Sequence, residues 1–138
     1  MRISSLNSTE TQEDLVRKES KPLRKRILLV DDQQPVRQAI SLLLSLDNHT
    51  IVEATDGAEA LDLFRQDRFD IVITDFEMPN MRGNELATRI KQLSPTQPII
   101  MITAYAERLN DFSSPVNAIL DKPFRLEDLR LTMAKLLP

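Results

Sequence analysis

The feature that most constrains this chain is the alternation of short apolar runs with longer helical patterns. The runs end at polar residues: RILLV leads into Asp31 and Asp32, FDIVIT into Asp75, PIIMI into Thr103, and AIL into Asp121 and Lys122. Short apolar runs separated by helical stretches are typical of buried parallel strands. We therefore expect an α/β fold, in which the crossover helices cover both faces of a parallel sheet.

The same pattern predicts the elements. Predicted strands cover residues 26–31, 50–54, 70–75, 98–103 and 116–121. Predicted helices cover residues 34–46, 57–66, 84–93, a short segment near 105–112, and 124–137, with apolar residues at helical spacing that are expected to pack on the sheet. Asp56 followed by Glu59 predicts a helix N-cap, and Pro35 favours a helix start.

Composition limits the class of protein. A chain of 138 residues is one domain's worth, and the lack of cysteine excludes disulfides, thiolate zinc sites and cysteine nucleophiles. The single histidine, His49, excludes a multi-histidine metal centre, and we interpret it as a surface residue that opens the second strand. The sequence shows no signal peptide and no run of about 18 apolar residues, so we expect a cytoplasmic protein without membrane attachment.

Charge is divided unevenly along the chain. Residues 1–26 hold seven Lys/Arg against four Asp/Glu, whereas residues 27–138 hold eleven against seventeen. An acidic domain argues against direct nucleic-acid binding. Residues 1–23 are polar and serine-rich, and we predict a flexible N-terminal tail there, with a short helix over residues 10–19, followed by a domain at 24–138.

The polar residues that end the runs predict one site. Ligands bind outside the carboxyl ends of the strands in parallel sheets, so three acids, a hydroxyl and an ammonium should converge there. Such a set suits a divalent cation and a phosphoryl group, because clustered carboxylates repel one another unless a cation neutralises them. In the loop after Asp75, we expect Gly83 to supply backbone angles that other residues avoid.

The stretches LLVDD, ITDFEMPNMRGNEL, MITAY and ILDKPF resemble, in this order and each at a strand end, the receiver domain of two-component response regulators. The resemblance runs from about Arg24 to Leu137. It implies a doubly wound five-stranded parallel sheet of the flavodoxin-like (βα)5 type, with strand order 2-1-3-4-5. It also implies a phosphoacceptor that signals by binding proteins and is no enzyme beyond its own phosphoryl transfer and autodephosphorylation.

The resemblance assigns the phosphoacceptor and the metal ligands. Asp75 would take a phosphoryl group from a phosphohistidine on a sensor histidine kinase or a histidine phosphotransfer protein. Asp32 and Asp75 would bind Mg2+ directly, together with the backbone carbonyl of Glu77, and Asp31 would act mainly through water.

The resemblance also assigns the switch residues. Lys122 would contact the phosphoryl oxygens, and its peptide bond to Pro123 would be cis. The hydroxyl of Thr103 would move toward the phosphoryl group and drive the switch. Glu77 and Tyr105 would flank the pocket and tune the lifetime of the phosphoryl group.

Two departures from the family pattern concern the output face. Many receivers have an aromatic residue three positions before the lysine, where this chain has Ile119. The stretch between Thr103 and Lys122 is also shorter than usual, and Pro115 limits the helix near 105–112. We expect a remodelled output face, which leaves a homodimer and the downstream protein target open.

Three other functions compete with a Mg2+-dependent phosphoacceptor. A constitutive interaction module, or pseudo-receiver, that kept the pocket but lost the switch would explain Ile119 and the short helix. A magnesium phosphatase with an aspartyl nucleophile is less favoured, because Glu77 stands where such enzymes usually have a second aspartate. A flavodoxin-like flavin carrier is weaker still, because Asp31 and Asp32 would repel phosphate in its binding loop.

Overall fold

The computed structural model describes residues 24–106 and 115–137, which contain five strands. The strands are β1 (Arg26–Val30), β2 (Thr50–Ala54), β3 (Ile71–Asp75), β4 (Ile99–Thr103) and β5 (Ala118–Asp121). They form one parallel sheet in the order β2-β1-β3-β4-β5. The doubly wound sheet and the strand order that the sequence predicted are confirmed.

The sheet separates two apolar cores. Successive side chains of a strand point to opposite faces, so Leu28 and Val30 enter one core while Ile27 and Leu29 enter the other. Strands β3 and β4 are buried along their whole length. Burial on both faces explains why their sequences are nearly continuous apolar runs and not alternating ones.

Four helices of the described residues cover the two faces: α1 (Gln34–Ser45), α2 (Gly57–Gln66), α3 (Gly83–Leu93) and α4 (Leu126–Leu136). Helices α1 and α4 pack on one face through Ile40, Leu44, Leu129 and Met133. Helices α2 and α3 pack on the opposite face through Ala60, Leu61, Leu86 and Ile90. No helix within residues 24–106 and 115–137 has the length and apolar character that crossing a membrane requires.

The predicted start of α2 is confirmed in atomic detail. The Asp56 carboxylate accepts a hydrogen bond from the backbone N–H of Glu59 at 2.8 Å. The Glu59 carboxylate accepts one from the backbone N–H of Thr55 at 2.7 Å, one residue before the cap. These bonds satisfy N–H groups that have no partner within the helix, which fixes where the helix begins.

The interpretation of His49 as a surface residue is wrong. Its side chain is buried, and its Nδ1 accepts a hydrogen bond from the backbone N–H of Lys25 at 2.9 Å. The cause is strand register: Arg26 pairs with Thr50, so the residues that precede them lie side by side.

Other predictions differ in detail or fall outside the description. Helix α4 begins at Leu126 and not at 124, because Asp128 accepts a hydrogen bond from the backbone N–H of Arg125 at 2.9 Å and so caps the helix there. The tail over 1–23, its helix over 10–19 and the short helix near 105–112 lie outside the described residues, apart from the latter's first two positions.

Candidate functional site

Three carboxylates meet at the carboxyl end of the sheet. Asp31, Asp32 and Asp75 each offer an oxygen atom, and these atoms all lie within 4.8 Å of one another. The cluster follows from topology, because β1 and β3 are neighbours and Val30 pairs with Thr74, so the next residues, Asp31 and Asp75, are adjacent. Asp31 and Asp75 are buried, whereas Asp32 is exposed.

Lys122, which directly follows the edge strand β5, reaches the same cluster. Its Nζ donates a hydrogen bond to Asp75 Oδ1 at 2.9 Å, and its backbone N–H donates to the carbonyl of Thr103 at 2.9 Å. The Lys122–Pro123 peptide bond is cis, as the resemblance implied. Lys122 thereby links the end of β5 to the ends of β3 and β4, to β3 through its ammonium group and to β4 through its backbone N–H.

Burial controls the protonation of the acids. It raises the pKa of Asp75 to about 6; the hydrogen bond from Lys122 opposes this rise, and the charges of Asp31 and Glu77 add to it. Burial likewise raises the pKa of Asp31. For Lys122, burial acts to lower the pKa, but the hydrogen bond to Asp75 and the surrounding negative charge outweigh it, and the pKa is raised. The site therefore holds more negative charge than its lysine neutralises.

The hydroxyl of Thr103 has a partner that the sequence did not indicate. Thr103 is fully buried, and its Oγ1 donates a hydrogen bond to the Glu77 carboxylate at 2.6 Å. The backbone N–H of Tyr105 donates to the same Oγ1 at 3.0 Å. The site residues expected from the end of β4 and from the loop after β3 are thus directly bonded to each other.

Gly83 has a different role from the one expected. Among the described residues, no glycine has a positive φ, so Gly83 does not supply an unusual backbone conformation. A Cβ at this position would instead overlap the carbonyl oxygen of Asp75 and lie 3.0 Å from the Cα of Phe76. The absence of a side chain allows the start of α3 to lie directly against the backbone of the site.

Arg37 is a site-supporting residue that the sequence analysis missed. Its guanidinium is buried and donates hydrogen bonds to the backbone carbonyl of Asp31 and to the carboxylate of Glu53, both at 2.8 Å. It thereby fastens the loop that carries the acid pair to β2. Its position on the helix could have revealed it, because Arg37 shares the buried face of α1 with Ile40 and Leu44.

Ile119 is half-buried on β5, where it pairs with Met101 of β4. Its part in a switch and the use of the Glu77 carbonyl as a metal ligand stay predictions. The departures expected between Thr103 and Lys122 fall mostly on residues 107–114, which lie outside the described part of the chain.

Fold and site together define a flavodoxin-like α/β domain with an acidic cluster at the strand ends that could hold a metal ion. A family model described as response regulator receiver domain matches residues 27–134, and the chain belongs to that family. It is the receiver domain of a two-component response regulator, a phosphorelay signalling module and not a classical enzyme. The resemblance drawn from the sequence is confirmed.

Individual relatives agree with this assignment. The response regulator MprA of Mycolicibacterium vanbaalenii is 37% identical over 115 residues, which cover 81% of this chain and 50% of the relative. The chain thus spans about half the length of the curated relatives it matches.

Two solved structures are also similar. TrrA of Thermotoga maritima, in complex with Mg(2+)-BeF, is 36% identical with a TM-score of 0.78, and the match covers 82% of this chain and 99% of TrrA. The chemotaxis response regulator CheY4 of Vibrio cholerae is 32% identical with a TM-score of 0.76, and the match covers 83% and 100% of the two chains.

Proposed function

We propose that this domain is a Mg2+-dependent phosphoacceptor that receives a phosphoryl group on Asp75 from a histidine kinase or a histidine phosphotransfer protein. The observation that carries the proposal is the convergence of three carboxylate oxygens within 4.8 Å, with the Lys122 ammonium bonded to Asp75. We also propose that residues 24–138 form the receiver unit, that 1–23 form a tail, and that the output is a contact with another protein.

The donor set fits Mg2+, which prefers oxygen ligands. Asp31, Asp32 and Asp75 would hold it, with the backbone carbonyl of Glu77. Burial is the main cause of the raised pKa values of Asp31 and Asp75, and neighbouring carboxylates add to it; a divalent cation would stabilise both acids in their ionised form. When bound, Mg2+ neutralises charge on the carboxylates and on the incoming phosphoryl oxygens. TrrA, which binds Mg(2+)-BeF, supports the assignment by similarity.

The chain's own residues would carry the transfer. A carboxylate oxygen of Asp75 forms a bond to phosphorus while the bond from phosphorus to the donor's nitrogen breaks, and its electron pair leaves with the imidazole. Because a carboxylate is a weak nucleophile, positioning and charge stabilisation must supply most of the acceleration. Lys122, now bonded to Asp75, would contact the phosphoryl oxygens, and Thr103 would donate its hydroxyl to one of them.

The constitutive interaction module is not favoured. Such a module keeps the pocket, so the clustered acids and the lysine do not separate the two functions; similarity to response regulators favours the phosphoacceptor. The unusual Ile119 would affect how a partner protein senses phosphorylation, and not the transfer of the phosphoryl group to Asp75.

Intact mass after incubation with Mg2+ and acetyl phosphate tests the proposal. We expect a gain of one phosphoryl group in the wild-type protein, no gain without Mg2+, and no gain in Asp75→Asn, whose side chain is nearly isosteric but cannot form the acyl phosphate. Phosphoramidate should serve as a second donor. If the wild-type chain takes no phosphoryl group from either donor at saturating Mg2+, or if Asp75→Asn is modified as fast, Asp75 is not the acceptor.

A further inference from the structure

The resting position of Thr103 poses a chemical conflict with its expected role. Its hydroxyl carries one proton and can donate one hydrogen bond at a time. That proton is directed at the Glu77 carboxylate, 2.6 Å away, and the oxygen that carries it also accepts from the N–H of Tyr105. A hydroxyl held in this way has no proton left for a phosphoryl oxygen on Asp75.

The surroundings of Glu77 favour a stable bond. Thr103 is fully buried and Glu77 is half-buried, so water competes poorly for either group. The loop that carries Glu77 is fixed on both sides, because Met78 N–H and Gly83 N–H both donate to the carbonyl of Phe76, at 3.1 Å and 3.0 Å. Hydrogen bonds to a charged acceptor are stronger than those between neutral groups.

We propose that Glu77 is a positioning residue that holds Thr103 in the resting state and competes with the phosphoryl group for its hydroxyl. The proposal rests on the proposed function, since it needs a phosphoryl group on Asp75. In the phosphorylated domain the hydroxyl leaves Glu77 and donates to the phosphoryl oxygen. The Glu77–Thr103 bond therefore opposes the switched state, and its strength sets how readily a bound phosphoryl group completes the switch.

Charge offers a second way in which Glu77 could act. Its carboxylate adds to the negative charge felt by both Asp75 and Lys122, so its removal would also change how the site attracts an anionic ligand. The two effects are separable. Glu77→Gln removes the charge but keeps a side-chain oxygen that can accept from Thr103, whereas Glu77→Ala removes both.

A double-mutant cycle with Thr103 tests the proposal. The readout is the affinity for beryllofluoride at saturating Mg2+, followed by NMR titration, because beryllofluoride imitates a phosphoryl group on the acceptor. We expect Glu77→Ala to bind about tenfold tighter than wild type, the gain expected when one charge-assisted hydrogen bond no longer opposes the switch. Glu77→Gln should gain less than Glu77→Ala. In a Thr103→Val background, where the hydroxyl is gone, Glu77→Ala should gain no more than Glu77→Gln, because only the removal of charge remains.

Thr103→Ser is the matched control, since it keeps the hydroxyl and should restore the effect of Glu77→Ala. Thr103→Ala replaces Thr103→Val if the valine variant does not fold. The resting protein gives a second readout: Glu77→Ala should shift the Tyr105 amide resonance, because that N–H donates to Thr103 Oγ1.

Three results would overturn the proposal. Equal gains in Glu77→Gln and Glu77→Ala would show a pure charge effect. If the extra gain of Glu77→Ala over Glu77→Gln persists in Thr103→Val, that gain does not act through the hydroxyl. An unchanged affinity in Glu77→Ala would show no competition. If the wild-type protein binds no beryllofluoride and takes no phosphoryl group, the proposed function itself fails and this inference fails with it.

Discussion

Asp75 differs from a surface aspartate in its solvation and in its neighbours. Its side chain is nearly excluded from water, a second buried acid lies beside it, and one ammonium contacts it. Burial and like charge both favour the protonated acid, whereas Lys122 favours the carboxylate, and the balance leaves the pKa at about 6. A carboxylate in this balance is mostly ionised at neutral pH and still poorly solvated, which suits the attack on phosphorus that we propose for it.

Gly83 offers a residue-scale prediction with an internal control. A Cβ at Gly83 would overlap the backbone carbonyl of Asp75, which cannot move without displacing β3. At Gly57 a Cβ would meet the side chain of Met81, which is flexible and can turn away. We expect Gly83→Ala to cost about 1–3 kcal/mol of unfolding free energy and Gly57→Ala much less. Urea denaturation measures both, and equal costs would contradict the close approach described for Gly83.

The contacts that the sequence did not reveal all join residues that lie far apart along the chain. Asp31, Asp32, Asp75, Thr103 and Lys122 were recognisable because each follows an apolar run, and strand topology alone brings them together. The Thr103–Glu77 bond, the Arg37–Glu53 bond and the Lys25–His49 bond join residues 26, 16 and 24 positions apart. Such bonds depend on side-chain conformations and strand register, which hydrophobic periodicity does not specify.

At the scale of elements, α1 and α4 are joined by an ion pair beyond their shared core. Arg130 of α4 donates two hydrogen bonds to the Asp47 carboxylate just after α1, from Nε at 2.7 Å and from Nη2 at 2.5 Å. Asp47 is buried, and the hydrogen bonds from Arg130 lower the pKa of its carboxyl, although burial acts in the opposite direction. The two-point geometry fixes the end of α1 against the middle of α4.

We expect Arg130→Ala to lower the unfolding free energy at pH 7 by more than the loss of an exposed ion pair does, because it leaves a buried carboxylate without its partner. The lowered pKa of Asp47 means that this contribution is present above the unfolded pKa, near 4, and is lost as pH falls through the folded value. The difference between wild type and Arg130→Ala in urea denaturation should therefore shrink on acidification to about pH 3.

Arg89→Ala is the control, because Arg89 pairs with Glu85 on an exposed face of α3. An exposed pair of this kind contributes about 0.5 kcal/mol or less. A cost for Arg130→Ala as small as that for Arg89→Ala would show that the α1–α4 ion pair does not stabilise the fold.

The bounds of the strands and helices were predicted to within about two residues, because apolar residues recur with a different period in strands and in helices. Where capping residues stand at the boundary, as Asp56 does for α2, the start was predicted as observed. The start of α4 was placed two residues early, since the apolar Phe124 extends the helical pattern back past the N-cap residue Arg125, whose backbone N–H donates to Asp128.

At the scale of the whole molecule, the acidic site couples ligand binding to folding. Its carboxylates follow β1 and β3, two adjacent strands in the interior of the sheet, so unfolding disperses the cluster. Any cation that needs all three acids binds the folded state and stabilises it by mass action. The same acids repel one another when no cation is bound. This repulsion lowers the unfolding free energy of the metal-free domain by an amount that varies with pH.

Acidification should therefore stabilise the metal-free domain and weaken the stabilisation that Mg2+ gives. The folded pKa of Asp75, about 6, lies above the unfolded value near 4, so between these values the folded state keeps a proton that the unfolded state has lost. Metal-free protein should then gain stability from Asp75 as pH falls from 7.5 to 5.5. Mg2+ requires the ionised carboxylate, so its stabilisation, about 2.7 kcal/mol at a hundredfold excess over Kd, should shrink over the same range.

Thermal unfolding with Mg2+ and with EDTA, at pH 7.5 and at pH 5.5, measures both the pH effect and the Mg2+ effect. Comparison with Asp75→Asn gives the part of each that Asp75 contributes. His49, whose pKa is lowered by burial, contributes a pH dependence of the opposite sign, but it does so equally in both proteins and cancels in the comparison. In Asp75→Asn the gain on acidification without metal should shrink to the part that the raised pKa of Asp31 contributes, and the Mg2+ effect should be small at either pH. A Mg2+ effect of the same size in wild type and Asp75→Asn would place the cation elsewhere on the domain, since Asp75 joins the carboxylates after β1 to the end of β3.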